Sequence, residues 1–98
     1  MDFEVAVAGH ICLDIIPELY GPLPEDPGVL VESGPATVST GGAVANTGLA
    51  LHLIGVPVAM IGKIGDDPLG RTTQEVIAGF DPRLTRYLVV TPGESSSY

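Results

Sequence analysis

The alternation of strand-like and helix-like segments constrains the fold of this chain more than any other feature. A strand-like apolar run opens the sequence, and each later strand is preceded by a segment with a helical stripe or a helix-start signal. Strands that alternate with helices of this length predict parallel βαβ units with right-handed crossovers, and therefore an α/β fold. The predicted order is strand, β flap, helix, strand, helix, strand, over residues 3–8, 15–40, 41–54, 58–64, 67–79 and 87–90.

The segment between the first strand and the first helix is rich in residues that break helices. Its glycines and prolines forbid a long helix. Two β-prone pieces, 29–31 and 37–40, lie between and after these glycines and prolines. We therefore predict a small sheet flap rather than a disordered insertion, because long connections inside compact domains are usually functional and are often lids. The breakers are Pro17, Gly21, Pro22, Pro24, Pro27, Gly28, Gly34 and Pro35.

The composition narrows the class of protein. The chain has 98 residues, enough for one domain at most, and its 4 Lys and Arg against 12 Asp and Glu give a net charge of −8. Residues 1–62 contain no Lys or Arg, which argues against a nucleic-acid or anionic-membrane surface. A single cysteine, Cys12, excludes an internal disulfide and a multi-cysteine metal site. With no basic leader and no long apolar span, a cytoplasmic setting is expected.

A pair of glycines opens the first helix and suggests a ligand site. Gly41 and Gly42 let a ligand approach the backbone, and the free N–H groups of the helix start can donate to its oxygen atoms. Asn46, one turn farther, supplies an amide donor and acceptor. Alternatively, the two glycines form a tight turn that serves only to pack the helix on the sheet. The spacing of the glycines alone does not distinguish this packing role from ligand binding.

Three aspartates follow predicted strands. Asp14 lies just past the first strand, and ligands of parallel α/β sheets bind beyond the carboxyl ends of strands. Its carboxylate is a plausible acceptor for substrate hydroxyls, with a turn or cap role as the alternative. Asp67, followed by Pro68, is predicted to cap the second helix, and Asp66 to brace the loop.

Other kinds of site lack support in the sequence. The glycines do not fit the G-x-G-x-x-G spacing of a dinucleotide-binding domain. A Rossmann-type dinucleotide-binding domain is therefore the least favoured of the functions considered. Gly62-Lys63 is followed by Ile64 rather than Ser or Thr, so no Walker A motif is present. His10 and His52 lack zinc-ligand spacing.

Three blocks together resemble the N-terminal part of the ribokinase-like (PfkB) carbohydrate kinase family. They are residues 5–14, 41–48 and 61–70, and the second and third correspond at this separation to the family's N-terminal signature. The resemblance covers essentially the whole chain but only about the first third of a family member. We therefore expect residues 1–98 to be the N-terminal part of one ribokinase-like domain that continues beyond this chain.

The resemblance implies both an activity and a set of binding residues. Family members are α/β proteins with a β lid, and they transfer the γ-phosphoryl group of Mg-ATP to a hydroxymethyl group of a sugar or related alcohol. By that likeness, 15–40 and 91–98 are lid segments, and 95–98 begin a returning lid strand. Asp14 would accept substrate hydroxyls, Gly41 and Gly42 would lie under the sugar, and Asn46 would bind another hydroxyl.

The departures from the family pattern limit what this chain can do alone. Cys12 stands where ribose-type members often carry Asn, and Ala43 where they carry Lys, which favours a fructose-type or 2-keto-3-deoxy-sugar-type substrate. The C-terminal Gly-Ala-Gly-Asp and Asn-x-x-Glu motifs are absent from the sequence. We therefore expect ATP and Mg²⁺ to bind only the full-length parent, and no catalytic, cofactor-binding or metal residue to lie in this chain. The isolated chain is predicted to be inactive.

A different class of function stays open. A small parallel sheet with two crossover helices struggles to cover both of its faces, and unpaired edges invite self-association. The alternative to a kinase segment is a non-catalytic, self-associating binding module. The family resemblance also implies a homodimer formed through the lid.

Overall fold

The computed structural model of the protein describes residues 3–98, and its centre consists of parallel strand pairs. Strand β1 (Val5–Ala8) pairs in parallel with β4 (Val58–Ile61), and β5 (Lys63–Gly65) pairs in parallel with β6 (Val89–Thr91). Helix α1 (Gly42–Leu53) lies between the first two strands in sequence, and α2 (Pro68–Phe80) between the second two. The predicted α/β fold with parallel βαβ units is confirmed.

The strand predicted over 58–64 is interrupted at Gly62, and that prediction is corrected. A Cβ atom on Gly62 would lie 2.8 Å from Cγ2 of Ile11, so the chain passes close to a core side chain there. Backbone bonds continue across the break: Gly9 N donates to Ile61 O at 3.1 Å and Val89 N to Gly62 O at 2.8 Å. The interruption separates the part that pairs with β1 from the part that pairs with β6.

An antiparallel hairpin occupies the segment predicted as a flap. Strand β2 (Cys12–Leu19) pairs with β3 (Ser33–Gly41), and residues 20–32 connect them. The hairpin starts earlier than predicted, because Cys12 pairs with Gly41, and its register shifts between Pro17 and Leu19. Strand β3 runs directly into α1, so the hairpin and the first helix share a junction.

The second helix has the predicted start and a slightly different end. The Asp67 side chain accepts a hydrogen bond from Gly70 N at 2.9 Å, and Pro68 is the first helical residue, as expected of this pair. The helix continues through Gly79 to Phe80. A 3₁₀ helix (Pro82–Thr85) and a following turn then delay the third parallel strand, which was predicted to begin at residue 87 but begins at residue 89.

A single buried cluster holds the parallel strands and the two helices together. Val44 and Met60 are fully buried between α1 and β4, and Gly48 permits this packing because a Cβ atom there would lie 2.7 Å from Met60 Cγ. Within residues 3–98, no helix combines the length and hydropathy needed to cross a bilayer. The cluster consists of Ile11, Val44, Ala45, Met60, Ile64, Ile77, Leu84 and Leu88.

Candidate functional site

The carboxylate of Asp14 lies at the junction between the hairpin and α1. Asp14 is exposed on β2, and Gly41 is the last residue of β3. A Cβ atom on Gly41 would lie 2.7 Å from Oδ2 of Asp14 and 3.1 Å from Sγ of Cys12. The backbone of Gly41 has an extended φ of −136°, so space rather than backbone conformation requires glycine here. The missing side chain is what lets the carboxylate sit beside the start of α1.

The thiol of Cys12 contacts the same carboxylate. Cys12 Sγ donates to Asp14 Oδ1 at 3.6 Å. Burial raises the pKa of the Cys12 thiol, and the negative charge of Asp14 and the hydrogen bond to it raise that pKa further. The thiol therefore remains a protonated donor. It constrains one carboxylate oxygen without competing as a nucleophile.

Gly42 lets the start of α1 lie close to the backbone of His10. Its φ is +83°, in the region that favours glycine, and a Cβ atom would lie 2.6 Å from the carbonyl oxygen of His10. That oxygen accepts a hydrogen bond from Val44 N at 3.0 Å, which satisfies one of the free N–H groups at the start of α1. Gly42 therefore has a packing role, which the sequence left open as the alternative to ligand binding.

Three of the four predicted binding residues lie at the hairpin–helix junction, and the fourth lies one turn along α1. Asp14, Gly41 and Gly42 surround the hairpin–helix junction, whereas Asn46 is exposed one helical turn farther along α1. Among residues 3–98, no hydrogen bond joins Asn46 to Asp14. A ligand that contacts both would have to bridge the first turn of the helix.

The two faces of the hairpin differ in polarity. Strand β2 alternates, so Asp14 shares a face with Cys12, Ile16 and Glu18, while Ile15 and its cross-strand partner Val38 lie on the opposite face. The partners of Asp14 and Ile16 are Ser39 and Thr37, so the first face is largely polar. The hairpin therefore presents hydroxyls and a carboxylate on one side and apolar side chains on the other.

A network around Asp67 extends far beyond a helix cap. Ser96 Oγ donates to Asp67 Oδ1 at 2.6 Å, and Ser96 N donates to Asp67 Oδ2 at 3.0 Å. The hydrogen bond from the Ser96 hydroxyl lowers the pKa of Asp67 to about 2, with the backbone N–H groups of Ser96 and Gly70 contributing. Asp66 Oδ1 accepts from Gly93 N at 3.0 Å, which is the bracing contact expected of Asp66. Sequence reasoning missed Ser96, since no local signal links it to Asp67.

The residues predicted as a returning lid strand have no strand hydrogen-bonding pattern in the structure. Residues 92–98 lie outside any strand, and Thr91 is the last residue of β6. Ser97 O nevertheless accepts from Leu13 N at 3.0 Å, so the segment runs beside β2. The segment therefore lies beside the hairpin without forming the predicted strand.

A cavity of about 640 Å³ lies at the opposite edge of the sheet, near the amino ends of the parallel strands. The sequence did not predict it. Phe3, His52, Pro57 and Tyr87 contribute to its lining, together with Arg83. Arg83 is already paired with the Asp81 carboxylate at 2.7 Å, and this pairing lowers the pKa of Asp81 to about 2. The cavity is therefore separate from the Asp14 junction, and its two arginines, Arg83 and Arg86, contact Asp81 and the Tyr87 ring.

Comparison with known proteins identifies the relatives of this chain. The family model described as pfkB family carbohydrate kinase matches residues 2–79. No curated protein matches the sequence at a significant level.

Solved structures share the fold. A candidate ribokinase from Agrobacterium tumefaciens superposes with a TM-score of 0.78 at 23% identity, over 98% of this chain and 30% of that one. A candidate sugar kinase from Clostridium perfringens gives 0.70 at 18% identity, covering 98% and 29%. The microbiome-derived acarbose kinase Mak1 gives 0.69 at 24% identity, covering 99% and 31%. The chain thus spans about 30% of the length of these structures.

Proposed function

The chain belongs to the pfkB family of carbohydrate kinases, and from this membership we propose that it supplies the sugar-binding side of such an enzyme. In this proposal, the protein that carries the chain transfers the γ-phosphoryl group of ATP to a hydroxymethyl group of a sugar or related alcohol in the cytoplasm. Residues 15–40 and 91–98 act as lid segments over the sugar.

One observation carries the proposal: an exposed carboxylate held where β3 enters α1. Asp14 Oδ2 occupies the space that a side chain on Gly41 would fill, and Cys12 restrains Oδ1. A carboxylate accepts several hydrogen bonds and donates none, so it suits the vicinal hydroxyls of a polyol.

The remaining residues complete a polyol site of mixed donors and acceptors. The exposed amide of Asn46 both donates and accepts, and a sugar lying over Gly41 and Gly42 would reach it one turn along α1. Ser39 and Thr37, which pair with Asp14 and Ile16 at the polar face of the hairpin, would cover the sugar. Exclusion of water matters, because water competes with the sugar as phosphoryl acceptor.

We propose that the other substrate, Mg-ATP, binds outside this chain. Lys63 pairs with Glu94 at 2.6 Å, Arg83 with Asp81, and Arg71 donates to the carbonyl oxygen of Asp66 at 3.1 Å. No group of three acidic, histidine or cysteine side chains within residues 3–98 is arranged to hold a metal ion. We therefore assign no step of phosphoryl transfer to this chain, and we expect the catalytic base elsewhere in the parent protein.

Sugar-dependent release of ADP by the protein that carries this chain tests the activity. A panel of ribose, fructose and a 2-keto-3-deoxy sugar acid separates the substrate classes, and we expect ribose to be the poorest. Asp14→Ala should raise the KM for the preferred sugar by about 10–150-fold, since hydrogen bonds to a charged group are lost. An unchanged sugar affinity would exclude the proposed role of Asp14.

The same assay tests the isolated 98 residues. We expect no sugar-dependent ADP release from the purified chain at any ATP concentration, because its sequence lacks the family's C-terminal Gly-Ala-Gly-Asp and Asn-x-x-Glu motifs. Turnover above the rate of a protein-free blank would contradict this expectation.

A second candidate function is self-association through the hairpin. Ile15, Leu19 and Val38 are 50%, 48% and 46% exposed, although they lie on the apolar face of the hairpin. Apolar patches of this kind mark interaction surfaces, and a homodimer through the lid would cover them. Light scattering over a concentration series distinguishes a monomer from a homodimer. A monomer at all concentrations would rule out the homodimer.

A further inference from the structure

The loop between β5 and α2 holds a distant segment of the chain by several hydrogen bonds. Asp67 accepts from both the hydroxyl and the backbone N–H of Ser96, at 2.6 and 3.0 Å. The same hydroxyl accepts from Gly65 N at 2.9 Å, and Asp66 accepts from Gly93 N at 3.0 Å. Ser96 is only 6% exposed, so its polar atoms are withdrawn from water and committed to these partners. We call this set of contacts the Ser96 clip.

Two glycines that flank the loop leave room for the clip. A Cβ atom on Gly65 would collide with the carbonyl oxygen of Glu94, and one on Gly70 would collide with the carbonyl oxygen of Gly65 and lie 2.7 Å from Ser96 Oγ. Neither glycine has a positive φ, so backbone conformation does not explain them. The spacing of Gly65 and Gly70 around Asp67 therefore creates room for the segment to cross the loop.

The clipped segment reaches the strand that bears Asp14. Ser97, next to Ser96, accepts a hydrogen bond from Leu13 N at 3.0 Å. Leu13 is 1% exposed and immediately precedes Asp14. Since Leu13 donates to Ser97, the clip supports the edge of β2 that faces away from β3. The path from Asp67 to Asp14 thus consists of two hydrogen bonds and two steps between adjacent residues.

We propose that Asp67 and Ser96 are positioning residues for Asp14, which fix the outer edge of β2 so that the carboxylate stays beside Gly41. The inference rests on the proposed function only for its sugar-binding consequence. The mechanical part, support of Leu13 and Asp14 by the clip, stands independently of any ligand. A rigid frame matters because a carboxylate that moves by about 1 Å loses its alignment with a bound hydroxyl.

Hydrogen exchange of the Leu13 amide tests the mechanical part directly. Ser96→Ala removes the clip hydroxyl but leaves the Asp67–Gly70 cap, and Thr72→Ala is the matched control because its hydroxyl bonds only within α2, to Pro68 O. We expect Ser96→Ala to speed exchange of Leu13 N–H by about 10-fold or more, with Met60 N–H changed less than about twofold. Equal rates in the two variants, or equal acceleration of both amides in Ser96→Ala, would overturn the proposal.

A second variant keeps the test valid if Ser96→Ala does not fold. Asp67→Asn retains Oδ1, which accepts from both Gly70 N and Ser96 Oγ, but replaces Oδ2 by an N–H₂ group, which cannot accept from Ser96 N. We expect the same selective acceleration of hydrogen exchange at the Leu13 amide. Its absence would overturn the proposed role of the Ser96 clip.

Sugar binding by the protein that carries this chain tests the functional part. Ser96→Ala should raise the sugar KM by about 5–50-fold with kcat changed less than about twofold, because it disturbs binding geometry rather than chemistry. An unchanged KM, together with accelerated exchange at Leu13, would overturn the positioning role. If Asp14→Ala also left the sugar KM unchanged, the failure would lie in the proposed function itself.

Discussion

The α/β layer and the hairpin use the same residue types in opposite ways. In the layer, Val44 and Ile77 are 0% exposed, whereas in the hairpin Val38 and Ile16 are 46% and 51% exposed. The layer is therefore stabilised by its own apolar core, and the hairpin is held by its strand pairing and by its base. This contrast is typical of a rigid scaffold that carries a covering element, and it places the Asp14 junction at the boundary between the two.

Matched isoleucine substitutions are expected to show the largest difference between the regions. Ile77→Ala should lower the free energy of unfolding by about 2–5 kcal/mol, because it leaves a cavity in the buried cluster. Ile16→Ala should cost about 1 kcal/mol or less, since half of that side chain already contacts water. Urea unfolding measures both. Equal losses would show that the hairpin shares the core of the layer.

The boundary itself is probed by adding one methyl group at Gly41. A Cβ atom there would press on Asp14 Oδ2, so Gly41→Ala should weaken sugar binding by the parent protein by about 10-fold or more. Gly21→Ala is the control, because a Cβ atom there meets no atom within 4 Å and the residue has no positive φ. Titration calorimetry measures both affinities. Similar affinities would show that the carboxylate can shift without consequence.

Acid should weaken the layer through Asp67. The pKa of Asp67 in the folded protein, about 2, lies below the ordinary value of 3.8, mainly because the Ser96 hydroxyl donates to the carboxylate. The stabilisation is present above about pH 4 and is lost as the pH falls towards 2. Ser96→Ala should reduce this pH dependence in urea unfolding.

Asp81 titrates over the same range and requires its own control. Its pKa is also about 2, because the Arg83 side chain donates to it, so it contributes with the same sign. Asp81→Asn should remove its share without changing the part that depends on Ser96. Identical pH profiles for Ser96→Ala and the unaltered protein would contradict the role of the clip in stability.

The smallest effect is expected at the exposed ion pair between Lys63 and Glu94. The two side chains are 58% and 50% exposed, so water and salt screen their attraction. Glu94→Gln should change the free energy of unfolding by about 0–1 kcal/mol, and less at high salt. A larger loss would mean that this pair, rather than the buried Ser96 clip, attaches the segment to the layer.

Local signals in the sequence predicted the layer well. The Asp67-Pro68 start of α2 depends on adjacent residues only, and the cap forms as expected. The interruption at Gly62 was not predictable, because it depends on contact with Ile11, a residue far away in sequence. The start of β2 at Cys12 likewise depends on its pairing with Gly41.

The candidate site was predictable only in part. Asp14 and the two glycines could be selected from their places relative to strands and helix, and the structure brings them together. The reason for Gly42 lies in the His10 carbonyl, and that for Gly65 in the Glu94 carbonyl, so neither reason is visible without the fold. Contacts across long stretches of sequence depend on tertiary packing, which periodicity does not encode.

The most direct test compares two carboxylates on the same strand face. Asp14→Asn and Glu18→Gln each remove one negative charge from an exposed residue of β2, but only Asp14 lies beside Gly41. Titration calorimetry of the parent protein with its preferred sugar should show affinity weakened by about 10–150-fold in Asp14→Asn and by less than about twofold in Glu18→Gln. Equal affinities in the two variants would contradict a polyol site at the junction of hairpin and helix.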